Sequence, residues 1–376
     1  MKWKIPLFRI YADDKDVESV REVIEARREW ATGPWMKKFE KRIASYMKVK
    51  YALSFSSGTT ALHATMLACG IKEGDEVIVP SFTFIATANA PLFVGAKPVF
   101  AEIEEQTLGL DPEDVERKIT PSTKAILPIH YAGIPCRIEK LKEIAKKYGI
   151  FLIEDAAESF GAIVKGRLTG TFGIAGVLSF CQNKIITTGE GGAVITDSEE
   201  IYRELKLVRS HGRAETEGYF TSSRSMDYVA LGYNFRMSSI TAALGISQIE
   251  KVELIIEMRR ERAKFYNERL KEMDEVEVFE DLPGERNVYQ LYTIKVKKKR
   301  DELREYLHSR GIQTKVYFEP VHLTTFYRER FGYKEGDMPV TERISKEVLT
   351  LPFYPDLPFE DMEYIVNSIK EFYSHA

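Results

Sequence analysis

From Tyr51 onward, short apolar runs alternate with amphipathic stretches. "YALSF" precedes "TALHATMLACG", "DEVIVP" precedes "TFIATANAPLFVG", "KAILPIHY" precedes "RIEKLKEIAKKYG", and "IFLIED" follows. The runs lack the polar alternation of half-exposed strands. They therefore predict buried parallel strands joined by helical crossovers. "GVLSF" and "GGAVITD" predict two further strands, one on each side of Lys184. Upstream, residues 13–30 read as a helix that Asp13 or Asp14 would cap. From Ser238 a long helical stretch runs past Arg262 towards Met273. A smaller α/β pattern follows: "YQLYTIKV", the helical "DELREYLHSRG", the strand-like "QTKVYF" and a closing helix ending in "FEDMEYIVNSIKEFYSHA". The expected fold is α/β, with a large domain over residues 1–250 and a smaller one over 251–376. The division falls near residue 250, inside or beside the long helix.

Composition narrows the function. The chain has 376 residues and is 44% hydrophobic, enough for a large core and two units. Its net charge of -3, with no basic block, makes nucleic acid and anionic membrane poor partners. No apolar run is long enough to span a bilayer, and "MKWKIPLFRIYADD" does not read as a signal peptide. Cys69, Cys136 and Cys181 lie far apart, which fits a reducing cytoplasm better than a disulfide framework. The six histidines have no metal-ligand spacing, so no metal site is expected.

Four features fall where an α/β sheet builds its ligand site, beyond the carboxyl ends of strands. In "SFSSGTTALH" a strand ends at Phe55 and a helix begins near Thr59. Gly58, Thr59 and Thr60 there offer backbone N–H groups and hydroxyls to an anion, most naturally a phosphate; an ordinary capped turn reads the same way. In "IFLIEDAAESFGA", Asp155 ends a very apolar strand, where a carboxylate is costly without a cation to meet it. The competing reading is a helix cap with Glu158 at capping-box spacing. Lys184 stands between an apolar run and a turn carrying Gly189, Gly191 and Gly192. An amine attacks a carbonyl only when neutral, and burial or a neighbouring cation favours that state. Phe84, in "PSFTF", stands just past a strand end and could stack on a flat ring or simply fill the core. Phosphate cup, ring-nitrogen partner, amine and stacking face are together the requirements of pyridoxal phosphate. Walker and dinucleotide fingerprints are absent.

The motifs "TGPWMKKFE", "SSGTTALH", "GDEVIVPSFTFIATANA", "IEDAAESFGA", "SFCQNKIITTGEGGAVITD", "LGYNFRMSSITAALG" and "LPFYPDLP" span almost the whole chain. On them the chain resembles the DegT/DnrJ/EryC1/StrS family of pyridoxal-phosphate-dependent nucleotide-sugar aminotransferases. The resemblance implies the fold-type-I aminotransferase architecture, with a mostly parallel seven-stranded sheet in the large domain. It implies homodimers with shared active sites, L-glutamate as amino donor and a nucleotide-linked keto sugar as acceptor. By motif position, Lys184 is the Schiff-base lysine and Asp155 the ring-nitrogen partner. Glu158 lies near the cofactor's phenolic oxygen; Gly58, Thr59, Thr60 and Ser179 form the phosphate cup; Phe84 stacks. Asn234 reaches a phosphate in the partner subunit, being too remote from the Lys184 strand within its own, and Arg236 and His322 face substrate. Cys181 stands where many members carry histidine or an aromatic, Glu158 where many carry glutamine, and Tyr317 where a histidine is common. "NKIITTGEGG" is similar to the perosamine-synthase-like branch. Two alternatives are a sugar dehydratase, whose members carry histidine at the position of Lys184, and a non-catalytic regulator or sensor.

Overall fold

The protein is described here by a computed structural model covering residues 3–214 and 226–374. A central sheet is built from β1 (Tyr51–Phe55), β2 (Glu76–Pro80), β3 (Lys97–Ala101), β4 (Thr123–Ile126) and β5 (Phe151–Asp155). After the short β6 (Ile163–Val164) and β7 (Arg167–Leu168), it is completed by β8 (Ala175–Ser179) and β9 (Gly192–Thr196). The order is β1-β9-β8-β5-β4-β2-β3. β8, β5, β4, β2 and β3 pair in parallel, whereas β9 runs antiparallel to both its neighbours. The segment Phe180–Gly191 contains no crossover helix, and a connection without one suits an antiparallel pair. Lys184 lies in that connection. The strands are buried on both faces, as their unbroken apolar runs predict.

The second sheet consists of β10 (Val276–Val278), β12 (Tyr292–Val296) and β13 (Val348–Leu351), all antiparallel. Between β10 and β12, β11 (Glu285–Arg286) returns to pair with β6 of the first unit. The long helical stretch is two helices, Ser239–Glu250 and Val252–Leu270. They meet at Lys251, whose ammonium lies 2.6 Å from Asp13 and 2.9 Å from Asp16, tying the joint to the N-terminal helix. Val252, Ile255 and Ile256 pack into the core shared with Phe39 and Phe180. Ala263, Tyr266 and Leu270 pack into the second core, with Ile294 and Leu349. One helix thus serves both units, and the change of core falls between Ile256 and Ala263. Ile5, assigned to the large domain by sequence, joins the second core and bonds to Gly311 and Gln313.

Two elements differ from expectation. The first helix is capped by Asp13 but stops at Glu25, because Arg27 and Glu29 take left-handed φ values of 52° and 57°. "QTKVYF" forms only one isolated bridge, from Lys315 to Thr350, with another at Ile312 just before it.

Candidate active site

The helix Gly58–Ala68 begins directly after β1. Its cap is Ser57, whose hydroxyl accepts the Thr60 N–H at 3.1 Å, while Thr60 Oγ1 accepts the Ser57 N–H at 3.1 Å. The capping reading is therefore correct for the Thr60 side chain, which is turned back on the cap. The first-turn N–H groups of Gly58 and Thr59 remain pointed out of the helix end, where a helix favours an anion. Ser179, at the end of β8, sits against them: a Cβ on Gly58 would lie 3.1 Å from Ser179 Cβ. Gly192 closes the other side, since a Cβ there would lie 2.5 Å from the Ser57 carbonyl carbon and 2.6 Å from the Gly58 nitrogen. Glycine at 58 and 192 lets three elements converge into a cradle of donors with no carboxylate among them. That suits a phosphate.

Beside the cradle, β5 ends in two acids that point to opposite faces, as successive strand residues must. Asp155 is 3% exposed. Its Oδ2 accepts from Thr87 Oγ1 at 2.7 Å and its Oδ1 from the Ala157 N–H at 3.1 Å. Thr87 is hydrogen-bonded in turn to Thr83 at 2.8 Å. Burial pushes the Asp155 carboxyl above the ordinary range, against the Thr87 and Ala157 hydrogen bonds and the Lys184 charge, with Glu158 adding to the rise. No helix follows β5, so the capping-box alternative fails. Glu158 is buried and bridges two groups: Oε1 accepts from Lys184 Nζ at 3.2 Å, and Oε2 from the Ala132 N–H at 2.9 Å. Lys184 is largely enclosed, its side chain 14% exposed. An amine held over one carboxylate, beside a second that has no salt bridge among the described residues, is set to meet a cofactor with a cationic ring.

Phe84 is 56% exposed at the head of the helix Ile85–Leu92, with the Phe318 ring 6.3 Å away. It offers a flat face instead of filling the core. His322 requires a correction. Its ring is fully enclosed: Nδ1 pairs with Ser81 Oγ at 2.6 Å and Nε2 with Glu342 at 3.1 Å. The order Ser–His–Glu has the outline of a hydrolytic triad, but all three are buried. In this arrangement His322 does not face substrate; it ties the helix Pro339–Glu347 to the turn before Phe84. Asn234 is exposed, and Arg236 donates to Ser210 Oγ at 3.0 Å. The remoteness expected of Asn234 is not observed, because the neighbouring Phe235 carbonyl accepts the Ser56 N–H at 2.8 Å, beside the anion cradle.

Sequence reasoning missed Thr87, whose only signal was its place one turn into a helix after a strand end. It also missed Glu154, on the opposite face from Asp155. Glu154 is fully buried and accepts from Gly170, Gly173 and His130 at 2.7, 2.8 and 3.1 Å, and also from Phe172. His130 Nδ1 accepts the Cys136 N–H, so its Nε2 carries the proton given to Glu154. Glu154 holds the turn that leads into β8. Among the described residues no cluster is arranged to hold a metal, and no helix is long and apolar enough to cross a membrane.

Comparison with known proteins places the chain in a family. The model of the DegT/DnrJ/EryC1/StrS aminotransferase family matches residues 11–370. The chain is 37% identical to GDP-perosamine synthase of Escherichia coli O157:H7, over 98% of this chain and 99% of that one. It is also 37% identical to a pleiotropic regulatory protein of Geobacillus stearothermophilus, over 94% and 93%. A putative sugar aminotransferase of Streptococcus pneumoniae, solved in its PLP form, superposes with a TM-score of 0.91 over 98% of both chains at 26% identity. The chain belongs to the DegT/DnrJ/EryC1/StrS aminotransferase family and is a pyridoxal-phosphate-dependent nucleotide-sugar aminotransferase.

Proposed function

We propose that the enzyme takes its amino group from L-glutamate and delivers it to a nucleotide-linked 3- or 4-keto-6-deoxyhexose, as a cytoplasmic homodimer. The observation that carries the reading is the placement of Lys184 Nζ, 3.2 Å from Glu158 and enclosed near the buried carboxylate of Asp155, which Thr87 holds by a hydrogen bond. In this reading Gly58, Thr59, Ser179 and the Gly192 strand hold the cofactor phosphate. Asp155 would keep a proton on the ring nitrogen, and Phe84 would offer a stacking face to the ring. When bound, pyridoxal phosphate supplies an electron-withdrawing ring that makes a proton on the neighbouring substrate carbon removable. Lys184 would be the base that takes that proton and, once protonated, the acid that gives it back to complete the transfer, and such positioned groups contribute roughly 10²–10⁴-fold. Glu158 sets where the amine waits, and its burial keeps water from competing. The acceptor sugar rests on the likeness to GDP-perosamine synthase. The dimer is supported by the exposed apolar stretch Tyr228, Val229 and Leu231 beside Asn234.

The test is ¹⁵N transfer. With ¹⁵N-glutamate and a panel of nucleotide-linked keto sugars, the product sugar should gain one ¹⁵N for each 2-oxoglutarate formed. A deoxygenated, nitrogen-free sugar would mean dehydration. The name of the Geobacillus relative favours a second reading, a regulator without turnover. A purified protein that stays yellow when glutamate is added would favour it.

A further inference from the structure

Lys184 is held at both ends by one distant segment, residues 287–291, which joins β11 to β12. At the backbone end, Gln290 is 2% exposed and its Nε2 donates to the carbonyl of Asn183, the peptide oxygen immediately before Lys184. The other side of that peptide is fixed as well, because the Lys184 N–H donates to the Cys181 carbonyl at 2.9 Å. At the amine end, the Leu291 N–H donates to the Ala132 carbonyl at 3.3 Å, the Ala132 N–H donates to Glu158, and Glu158 receives the Lys184 ammonium. The circuit closes through Gln290 and Leu291, which are adjacent.

The segment is itself over-determined. Arg259 is a guanidinium only 3% exposed and has no salt bridge among the described residues; its Nη1 donates to the carbonyls of Tyr289 at 3.1 Å and Gln290 at 3.3 Å. Arg260 donates to the Asn287 carbonyl at 2.7 Å. Tyr289 and Ala132, both non-glycine, take left-handed φ values of 48° and 55°. Such backbone persists where its surroundings dictate it, and it gathers at working sites. Gly133 completes the contact, since a Cβ there would lie 2.9 Å from the Gln290 nitrogen. Burying a charged group to fix two carbonyls is costly, and the carbonyls it fixes are those that aim Gln290.

We propose that Gln290 is a positioning residue for Lys184, with Arg259 holding it in place, so that the link between the two units sets where the amine stands. This rests on Lys184 being the reacting amine. Full-length wild type, Gln290→Met, Gln290→His and Lys184→Ala would be compared. Methionine keeps length but has no donor, whereas imidazole places an N–H at the same reach. In cofactor-free protein, acylation of Lys184 by an amine-directed reagent is read by mass spectrometry. In loaded protein, the single-turnover rate with L-glutamate is read by absorbance. A misplaced reacting group is costly in rate, so Gln290→Met should lower the rate about tenfold, with half-saturation changed less than about twofold. It should also label Lys184 faster, because the amine is released from Glu158, while the other lysines and the melting temperature hold. Gln290→His should return towards wild type in both readouts. A folded Gln290→Met with wild-type labelling and rate, or one changed only in melting temperature, overturns the proposal. If Gln290→Met does not fold, Gln290→Leu, which also has no donor, carries the same expectations. An active Lys184→Ala would instead overturn the functional reading, and the positioning role with it.

Discussion

At the scale of the residue, Asp155 shows how a site can oppose the stability of the chain that carries it. Its carboxyl is raised above the ordinary range by burial. An acid with a raised value in the folded state keeps its proton where the unfolded chain releases it, so stability falls as pH rises from the ordinary value of 3.8 through the raised one. At neutral pH the charge is therefore a cost in the cofactor-free protein. Asp155→Asn removes the charge and keeps the bonds: the amide donates to Thr87, whose hydroxyl turns to Thr83, and the Ala157 N–H still has its acceptor. Cofactor-free Asp155→Asn should melt above wild type at neutral pH, with the gap narrowing as pH is lowered. Turnover should fall about 10²-fold or more, because a neutral amide does not hold a cationic ring as a carboxylate does. Scanning fluorimetry and steady-state kinetics read the two effects. A variant that melts lower and stays active would leave Asp155 with no role beyond its turn.

At the scale of the element, the cradle depends on β9 passing against the head of the helix Gly58–Ala68. Gly192→Ala would place a methyl 2.5 Å from the Ser57 carbonyl carbon, and its nearest neighbours are all backbone, so the helix end must move. Titration of cofactor-free Gly192→Ala with pyridoxal phosphate should show affinity reduced roughly tenfold or more, the scale of one lost charge-assisted hydrogen bond. Unchanged affinity would mean that the phosphate sits elsewhere. This approach of β9 was not legible in the sequence. β1, β2, β4 and β5 were, because unbroken apolar runs such as "DEVIVP" and "IFLIED" admit little besides buried strands; β3, the short Lys97–Ala101, was not read from the sequence. The direction of β9 depends on which strands flank it, and periodicity carries no record of that. Lys184, Asp155 and Gly58 could be named because each stands at a strand end or in the turn beyond it, whereas Glu158 and Ser179 came from the resemblance; in the structure Lys184 meets Glu158 and Gly58 packs against Ser179. His322 was misread because "EPVH" does not reveal that Glu342, on a later helix, covers the ring. Gln290 and Arg259 were invisible for a similar reason: their meaning lies in contacts with Asn183 and with the backbone at 289–290, far away in sequence.

At the scale of the whole molecule, the open question is whether Asn234 serves its own site or its partner's. The bond from Ser56 to Phe235 removes the argument from distance, since the Asn234 loop lies beside its own cradle. What supports sharing is that Asn234 itself is exposed, next to Leu231 at 82% exposure and Val229 at 57%. Apolar surface of that kind marks a contact with another chain. The two arrangements differ in arithmetic. Take a heterodimer of Lys184→Ala with Asn234→Ala. If Asn234 acts within its own subunit, each site carries one defect and neither works. If it acts across the interface, one site combines both defects and the other is wild type. Random exchange makes half of the dimers heterodimers, so about a quarter of wild-type turnover should return when the two inactive proteins are mixed and allowed to exchange. Subunit exchange is confirmed by mass, using one protein labelled with heavy isotopes. Turnover that stays at the sum of the two parents, with heterodimers present, would place Asn234 in its own subunit's site and leave the exposed loop as a dimer contact without a catalytic part.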